Sequence, residues 1–253
     1  MNLLKRMLAL VLCLCALAAA ACAESNEELL GNFVLRYGDR NSKKVAITVD
    51  DCYKNRREWI TYDAELCRKY GIQMTFFPIV YTGCLEEAYR DIWLDVLDAG
   101  CEIGSHTWSH MKLGNRDAWG LIGALGKHQE ALDQTLGFHN QTRWLRPPYG
   151  ALKGKRLNEQ QVIKLLKSFG FDHIVHWEVS ETKSLDKALS RIQNGCIMLF
   201  HAQKKDSLFL EKLIPELQAQ GYEMVTVSAL FGFDPPETGG EMYVYNKADY
   251  EQK

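Results

Sequence analysis

The chain has 253 residues, 47% of them hydrophobic, enough for one large domain with a sizeable core. A formal net charge of −2 excludes proteins that work through a broad excess of Lys and Arg, so no nucleic-acid partner is expected. The first 23 residues read as targeting: Lys5 and Arg6, an apolar run over residues 7–20, then Ala21-Cys22-Ala23 as a cleavage site. The run is too short and wrongly flanked for a membrane span. A secretory signal peptide is expected, and with it a secreted or cell-envelope protein without a stable span after cleavage. An uncleaved anchor and lipidation at Cys22 are the alternatives. Loss of Lys5 and Arg6 takes the net charge from −2 to −4, and Cys52, Cys67, Cys84, Cys101 and Cys196 remain. An odd number leaves at least one thiol without a partner inside the chain.

Residues 24–43 are polar with a few apolar positions and read as an N-terminal arm. A β/α alternation follows. Residues 44–49 (K-V-A-I-T-V) form a β-branched run typical of a buried strand, and 55–70 a helix closed by Gly71. Strands are then expected at 72–80, 101–104, 142–145, 171–177, 196–200 and 223–227. Helices are expected at 85–99, 116–136, 155–169, 184–193 and 207–220, most of them closed by a glycine. Seven strands joined by helical crossovers argue for parallel pairing, as a barrel or a doubly wound sheet. Residues 231–253 hold Pro235-Pro236 and Gly239-Gly240 and read as a C-terminal tail, leaving 44–230 as the domain.

In parallel α/β folds the chemistry sits at the C-terminal ends of strands, and the polar clusters fall there. The first strand ends in Asp50-Asp51, the third leads to His106 and His110, the fourth to Arg146-Pro147-Pro148-Tyr149, and the sixth ends at His201. His106 and His110 are four residues apart. On one helical turn their Cβ atoms would lie ~5–6 Å apart, within reach of one metal ion. Surface histidines are the bland reading; the pair directly after a buried strand favours ligands. One aspartate of the Asp50-Asp51 pair could be a helix N-cap, but that does not account for both. An Asp-His-His set leaves room on a Zn²⁺-like ion for water and substrate, with one aspartate ligating and the other taking a proton.

These motifs resemble those of the polysaccharide deacetylases, the NodB-homology carbohydrate esterases of family four. T-V-D-D-C at 48–52 is similar to the family's T-F-D-D-G, H-T-W-S-H at 106–110 to H-[ST]-x-x-H, R-P-P-Y at 146–149 to R-x-P-[FY], and L-F-H at 199–201 to L-x-H. The resemblance implies a distorted (β/α)7-type barrel with parallel strands. It implies Asp50 as general base, Asp51, His106 and His110 as metal ligands, and Arg146 as the group orienting the base. His201 becomes the general acid, and Leu199 a wall of the acetyl pocket. Tyr149 would offer its backbone N–H to the oxyanion; it is the first donor after Arg146, because Pro147 and Pro148 have none. Zinc is the expected ion, with cobalt, nickel or manganese as alternatives. The family's fourth motif, W-S-V-D-S-R-D-W, is reduced here to W-E-V-S-E-T-K-S at 177–184. Lys183 stands where an aspartate should support the acid His, Ser184 where a groove-lining Trp is expected, and Glu178 or Glu181 could supply the charge instead. Cys52 replaces a glycine and reads as structural.

The resemblance implies a metal-dependent N-deacetylase acting on GlcNAc or MurNAc units of a glycan polymer such as peptidoglycan, which the signal peptide makes a secreted one; a monomer is expected. A hydrolase of small-molecule or cyclic amides is the alternative within enzymes, and a weakly catalytic metal- and glycan-binding surface protein the alternative outside them. Trp108 is a candidate substrate contact beside the site; Trp59 and Trp93 read as packing, and His128, His139, His173 and His176 as ordinary residues. From the strand ends alone, any disulfides would be Cys52–Cys84 and Cys67–Cys101 with Cys196 free, the alternative being five reduced core thiols.

Overall fold

The computed structural model describes residues 33–250; the expected signal peptide, residues 24–32 of the arm and residues 251–253 lie outside the described residues. In chain order the elements are β1 (Val34–Leu35), β2 (Lys44–Asp51), α1 (Arg57–Tyr70), β3 (Met74–Pro78), α2 (Arg90–Asp98), β4 (Glu102–Ile103), α3 (Ala118–Leu136) and β5 (Trp144–Leu145). They continue with α4 (Glu159–Phe169), β6 (His173–Val175), α5 (Leu185–Leu189), β7 (Ile197–His201), α6 (Lys204–Ala219), β8 (Glu223–Met224) and α7 (Val227–Phe231). Each strand expected from sequence is present, most of them shortened, and all named strand pairs are parallel.

β2 is the central strand, with residues 45–50 buried, as a strand covered on both faces requires. It pairs with β3 on one side and β7 on the other, and β4 continues beyond β3. β1, β6 and β5 form a second sheet. Single parallel bridges, Ser105 to Leu145 and Val179 to Met198, join the two sheets into a distorted barrel. The register sets Asp50 opposite His201, so two chemically active side chains leave neighbouring strands at one level.

Two short strands complete the N-terminal end of the barrel. β8 lies against the start of β2, where the Gln73 N–H donates to the Met224 carbonyl and the Val225 N–H to that of Val45. β1, inside the expected arm, pairs Val34 with Ile174 and Leu35 with Val175. The last expected strand stops at Met224 because Thr226 caps α7, its hydroxyl accepting the Ala229 N–H. α7 is anchored on the buried carboxylate of Glu102, which also accepts from Trp144 and Thr75. Burial raises the Glu102 pKa, while bonds from Ser228, Trp144 and Thr75 oppose the rise.

The C-terminal tail is packed along α3 and α4. The Tyr243 N–H donates to Asp133 Oδ2 at 2.7 Å, and Tyr250 stacks on Phe169 with centroids 5.6 Å apart. Gly126 in α3 makes this possible: a Cβ there would stand 2.1 Å from a ring carbon of Tyr245. Alanine would gain about 1 kcal/mol of helix propensity but force a clash of about 1–3 kcal/mol. Gly126→Ala should therefore lift the tail and speed amide hydrogen exchange over residues 241–250. Unchanged exchange there would refute this seating.

All five cysteines among the described residues are buried thiols, so neither bridge expected from the strand ends is formed. The bottom pair does meet, with Cys67 and Cys101 Sγ atoms 3.5 Å apart. Among the described residues no helix is long and apolar enough to cross a membrane.

Candidate active site

The end of β2 turns sharply. Asp51 (φ 71°) and Cys52 (φ 44°) both lie in the left-handed region, which a residue with a Cβ adopts at a cost of roughly 1–2 kcal/mol. Cys52, where the resembled motif has glycine, is fully buried; its thiol faces the Val49 and Asp50 carbonyls, and burial pushes its pKa well up. The turn parts the two aspartates. Asp50 goes to Arg146, and Asp51 goes to the histidines.

The helical turn expected over 106–110 is absent. Thr107 takes φ 69°, its N–H donates to Ser105 Oγ, and its hydroxyl donates to the Ser109 carbonyl. This bend brings the His106 and His110 ring centroids to 5.0 Å. His106 Nδ1 lies 2.7 Å from the Arg146 carbonyl, which can only accept, so Nδ1 donates and Nε2 is left facing Asp51. Asp51 Oδ1 lies 3.6 Å from His106 Nε2 and 3.7 Å from His110 Nε2, beyond hydrogen-bond range.

Donor atoms of Asp51, His106 and His110 all lie within 4.8 Å of one another. Asp51 Oδ1 is buried and has no hydrogen-bond partner among the described residues. Burial alone would raise the Asp51 carboxyl, but His106, His201 and His110 bring it below its ordinary value. Burial, then His106, lowers the His110 pKa against the pull of Asp51 and Asp50. Two imidazoles facing a carboxylate whose Oδ1 is buried without a hydrogen bond fit a divalent ion.

Arg146, 0% exposed, reads as the organising cation. Nη1 donates to Asp50 Oδ1 at 3.0 Å and Oδ2 at 3.2 Å, Nη2 to Thr48 Oγ1 at 2.9 Å, and Nε to the Val175 carbonyl at 2.7 Å. The guanidinium also lies over the rings of Phe77 and Trp177, so the Trp kept from the fourth motif packs on the arginine. Tyr149 takes φ 60°, and its ring meets that of His110 edge-on at 4.3 Å.

His201 has a partner that sequence reasoning missed. Asp206 Oδ2 accepts the His201 backbone N–H at 2.9 Å and lies 3.3 Å from Nδ1. Asp206 raises the His201 pKa, partly offset by burial and helped by Asp50 and Asp51. Asp206 itself would be raised by burial, but its bonds to His201 hold it below the usual carboxylate value. The charges expected from the fourth-motif stretch are engaged elsewhere: Glu178 pairs with Arg40, Glu181 with Lys187, and Lys183 is exposed. Ser184 caps α5, accepting the Lys187 N–H.

Leu199 is buried in β7, one residue before Phe200 and two before His201. Trp108 is half-buried between the core and a surface groove, with the Lys127 ammonium 5.8 Å from its ring. Trp93 is fully buried, and Trp59 meets Tyr62 edge-on. Of the histidines outside the motifs, His128 is fully buried and held at about 4 by burial, and His139 pairs with Asp133. His176 is likewise held at about 4, by burial and then by Arg36 and Arg146.

A family model described as polysaccharide deacetylase matches residues 37–174, more than half of the chain. The peptidoglycan-N-acetylglucosamine deacetylase PgdA of Listeria monocytogenes is 26% identical over 195 residues, covering 76% of this chain and 40% of that protein. The chain thus spans about two fifths of the length of that relative. Among solved structures, a family 4 carbohydrate esterase from Bacillus anthracis superposes with a TM-score of 0.65 at 26% identity, over 81% of this chain and 90% of the other. BA3943, a CE4 family pseudoenzyme from the same organism, shares the fold at a TM-score of 0.68 and 21% identity, over 79% and 69% of the two chains. Motifs, barrel and family match agree, and the chain belongs to the polysaccharide deacetylase family.

Proposed function

We propose that the chain is a metal-dependent N-deacetylase that removes acetyl groups from GlcNAc or MurNAc units of a glycan polymer, peptidoglycan foremost, outside the cytoplasm and as a monomer. The observation that carries this reading is the convergence of Asp51 Oδ1 with the Nε2 atoms of His106 and His110 beside two further pairs, Asp50–Arg146 and His201–Asp206. The peptidoglycan deacetylase named among the relatives supports the substrate class.

A divalent ion, zinc by the donor set, held by Asp51, His106 and His110 would polarise the acetamide carbonyl and acidify a water. Asp50, fixed by Arg146, is placed to accept a proton from a water that adds to the carbonyl carbon. The Tyr149 N–H stabilises the charge developing on the carbonyl oxygen. His201, whose pKa Asp206 raises, gives its proton to the amide nitrogen as the C–N bond breaks. Acetate and the free amino sugar leave. Leu199 lines the pocket for the acetyl methyl, and Trp108 meets the sugar. Asp206 supplies the anion whose apparent loss from the fourth motif was the ground for a weakly catalytic protein.

Metal-loaded protein should release acetate from chitooligosaccharides or peptidoglycan, and chelation should stop the release. His106→Ala should lose stoichiometric zinc by elemental analysis and lower activity at least a hundredfold. Zinc retained in that variant would sink the ligand assignment, and absence of acetate from both substrates would sink the activity.

A further inference from the structure

Beside the His201–Asp206 pair lies a second carboxyl that the steps above do not use. α1 and α6 run side by side: Arg56, just before α1, donates to Gln203 Oε1 at 3.0 Å, Tyr62 to Glu211 Oε2 at 2.7 Å, and Gln218 to the Tyr70 carbonyl at 2.8 Å. That register sets Asp63 of α1 against Asp206 and Ser207 near the start of α6. Asp63 and Ser207 are fully buried, and Asp206 is 2% exposed. Asp63 Oδ1 and Oδ2, Ser207 Oγ and Asp206 Oδ1 are all buried polar atoms without a hydrogen-bond partner among the described residues. Such atoms gathered at one spot are costly unless they serve one another.

The charges decide how. Asp206 already answers to His201 through Oδ2. The other titratable groups acting on Asp63 are the thiols of Cys52, Cys67 and Cys101 and the phenol of Tyr62, none of them a cation. Two neighbouring buried carboxyls with His201 as their one cationic partner do not both ionise, and the one away from the cation keeps its proton. Burial pushes the Asp63 carboxyl well above its ordinary value; Ser207 opposes the rise, and Asp206 and then Cys101 add to it. In this form Asp63 is a donor. Its O–H can serve Ser207 Oγ, and the Ser207 hydroxyl can serve Asp206 Oδ1, fixing the carboxylate whose other oxygen faces His201.

We propose that Asp63 is a positioning residue for the acid: a proton-bearing carboxyl, buried between α1 and α6, that holds Asp206 in place through Ser207. The inference rests on the reading of His201 as the acid and extends its support by one side chain beyond Asp206.

The test compares Asp63→Asn, which stays neutral and keeps a donor, with Asp63→Leu, which is neutral, similar in size and has none. Zinc-loaded wild type and Asp63→Asn are unfolded in urea between pH 5 and 6, without substrate. Wild type carries the Asp63 proton when folded and releases it on unfolding, since an unfolded aspartate is ionised above about pH 4. Its stability therefore falls as pH rises from the unfolded value toward the folded one, and its unfolding constant should rise about tenfold per pH unit relative to that of Asp63→Asn. On a confirmed substrate, Asp63→Leu should lower kcat about tenfold with KM little changed, and Asp63→Asn should restore most of it. A merely structural side chain would let leucine, an apolar filler in a buried site, keep full kcat. Parallel pH dependence of the two unfolding constants would overturn the proposal, as would full kcat in Asp63→Leu or equal loss in both variants. Should Asp63→Leu not fold, the proton release and the Asp63→Asn rate still decide. Proton release in a protein that frees no acetate removes the deacetylase reading, and acetate release without it removes the role of Asp63 and keeps the deacetylase.

Discussion

Arg146→Met is expected to cost about 3–5 kcal/mol of folding stability and to lower kcat at least a hundredfold. The arginine is fully buried and makes hydrogen bonds to Asp50, Thr48 and the Val175 carbonyl, spanning β2 and β6. Methionine fills much of the volume between Phe77 and Trp177 but gives none of those donors. It leaves the Asp50 carboxylate, 4% exposed, without its cation, and an uncompensated buried charge is the costly case. The base would also lose the fork that fixes its two oxygens. Arg146→Lys separates the two effects. It keeps the charge but cannot reach three partners from one planar group, so it should recover more stability than rate. Denaturant midpoints and kcat on a confirmed substrate check both variants. Wild-type stability in Arg146→Met would mean that the Asp50 pair is not a buried, mutually dependent unit.

Much of this arrangement was readable from the chain, for physical reasons. Buried parallel strands need continuous β-branched or apolar runs, so K-V-A-I-T-V announced β2 and its carboxylate end. The spacing of His106 and His110 points to a helical turn, whereas the two rings meet across a bend made by Thr107 in a left-handed conformation. Nothing in a one-dimensional pattern flags a threonine for φ 69°, because only the tertiary fit around it supports the strain. Asp206 is hidden in the sequence by where the helix begins. Starting the helix at Ser207 set Asp206 in a loop, while α6 starts at Lys204 and Asp206 falls in its first turn, reaching back to the end of β7. The signal was there: acidic residues favour the first turn of a helix, and this one lies five residues after the candidate acid. β1 was illegible because two residues make too short a run, and the tail because glycine and proline pairs say nothing of the groove that receives Tyr245.

Asp206→Asn is expected to pull the alkaline limb of the kcat/KM profile to lower pH while leaving metal content unchanged. The sign follows from the pair. A general acid works in its protonated form, so activity falls as pH rises through the His201 pKa. Asp206 raises that pKa above the ordinary histidine value of 6.5, which extends activity toward alkaline pH. Asparagine keeps an oxygen for the His201 N–H groups and removes the charge, so the ring stays placed while its pKa falls. The loss should therefore be small at pH 6 and large at pH 8. Folding stability should follow the same pair. The raised His201 contributes stability below its unfolded value and loses it as pH rises through the folded value; the lowered Asp206 contributes above its unfolded value and loses it as pH falls through the folded one. His201→Ala removes the proposed acid and should lower kcat by about 10²–10⁴-fold with metal content unchanged. Glu178→Gln and Glu181→Gln should leave the alkaline limb in place, because those carboxylates answer to Arg40 and Lys187. An unmoved alkaline limb in Asp206→Asn would show that Asp206 only shapes the loop after β7 and that the proton for the leaving amine has another source.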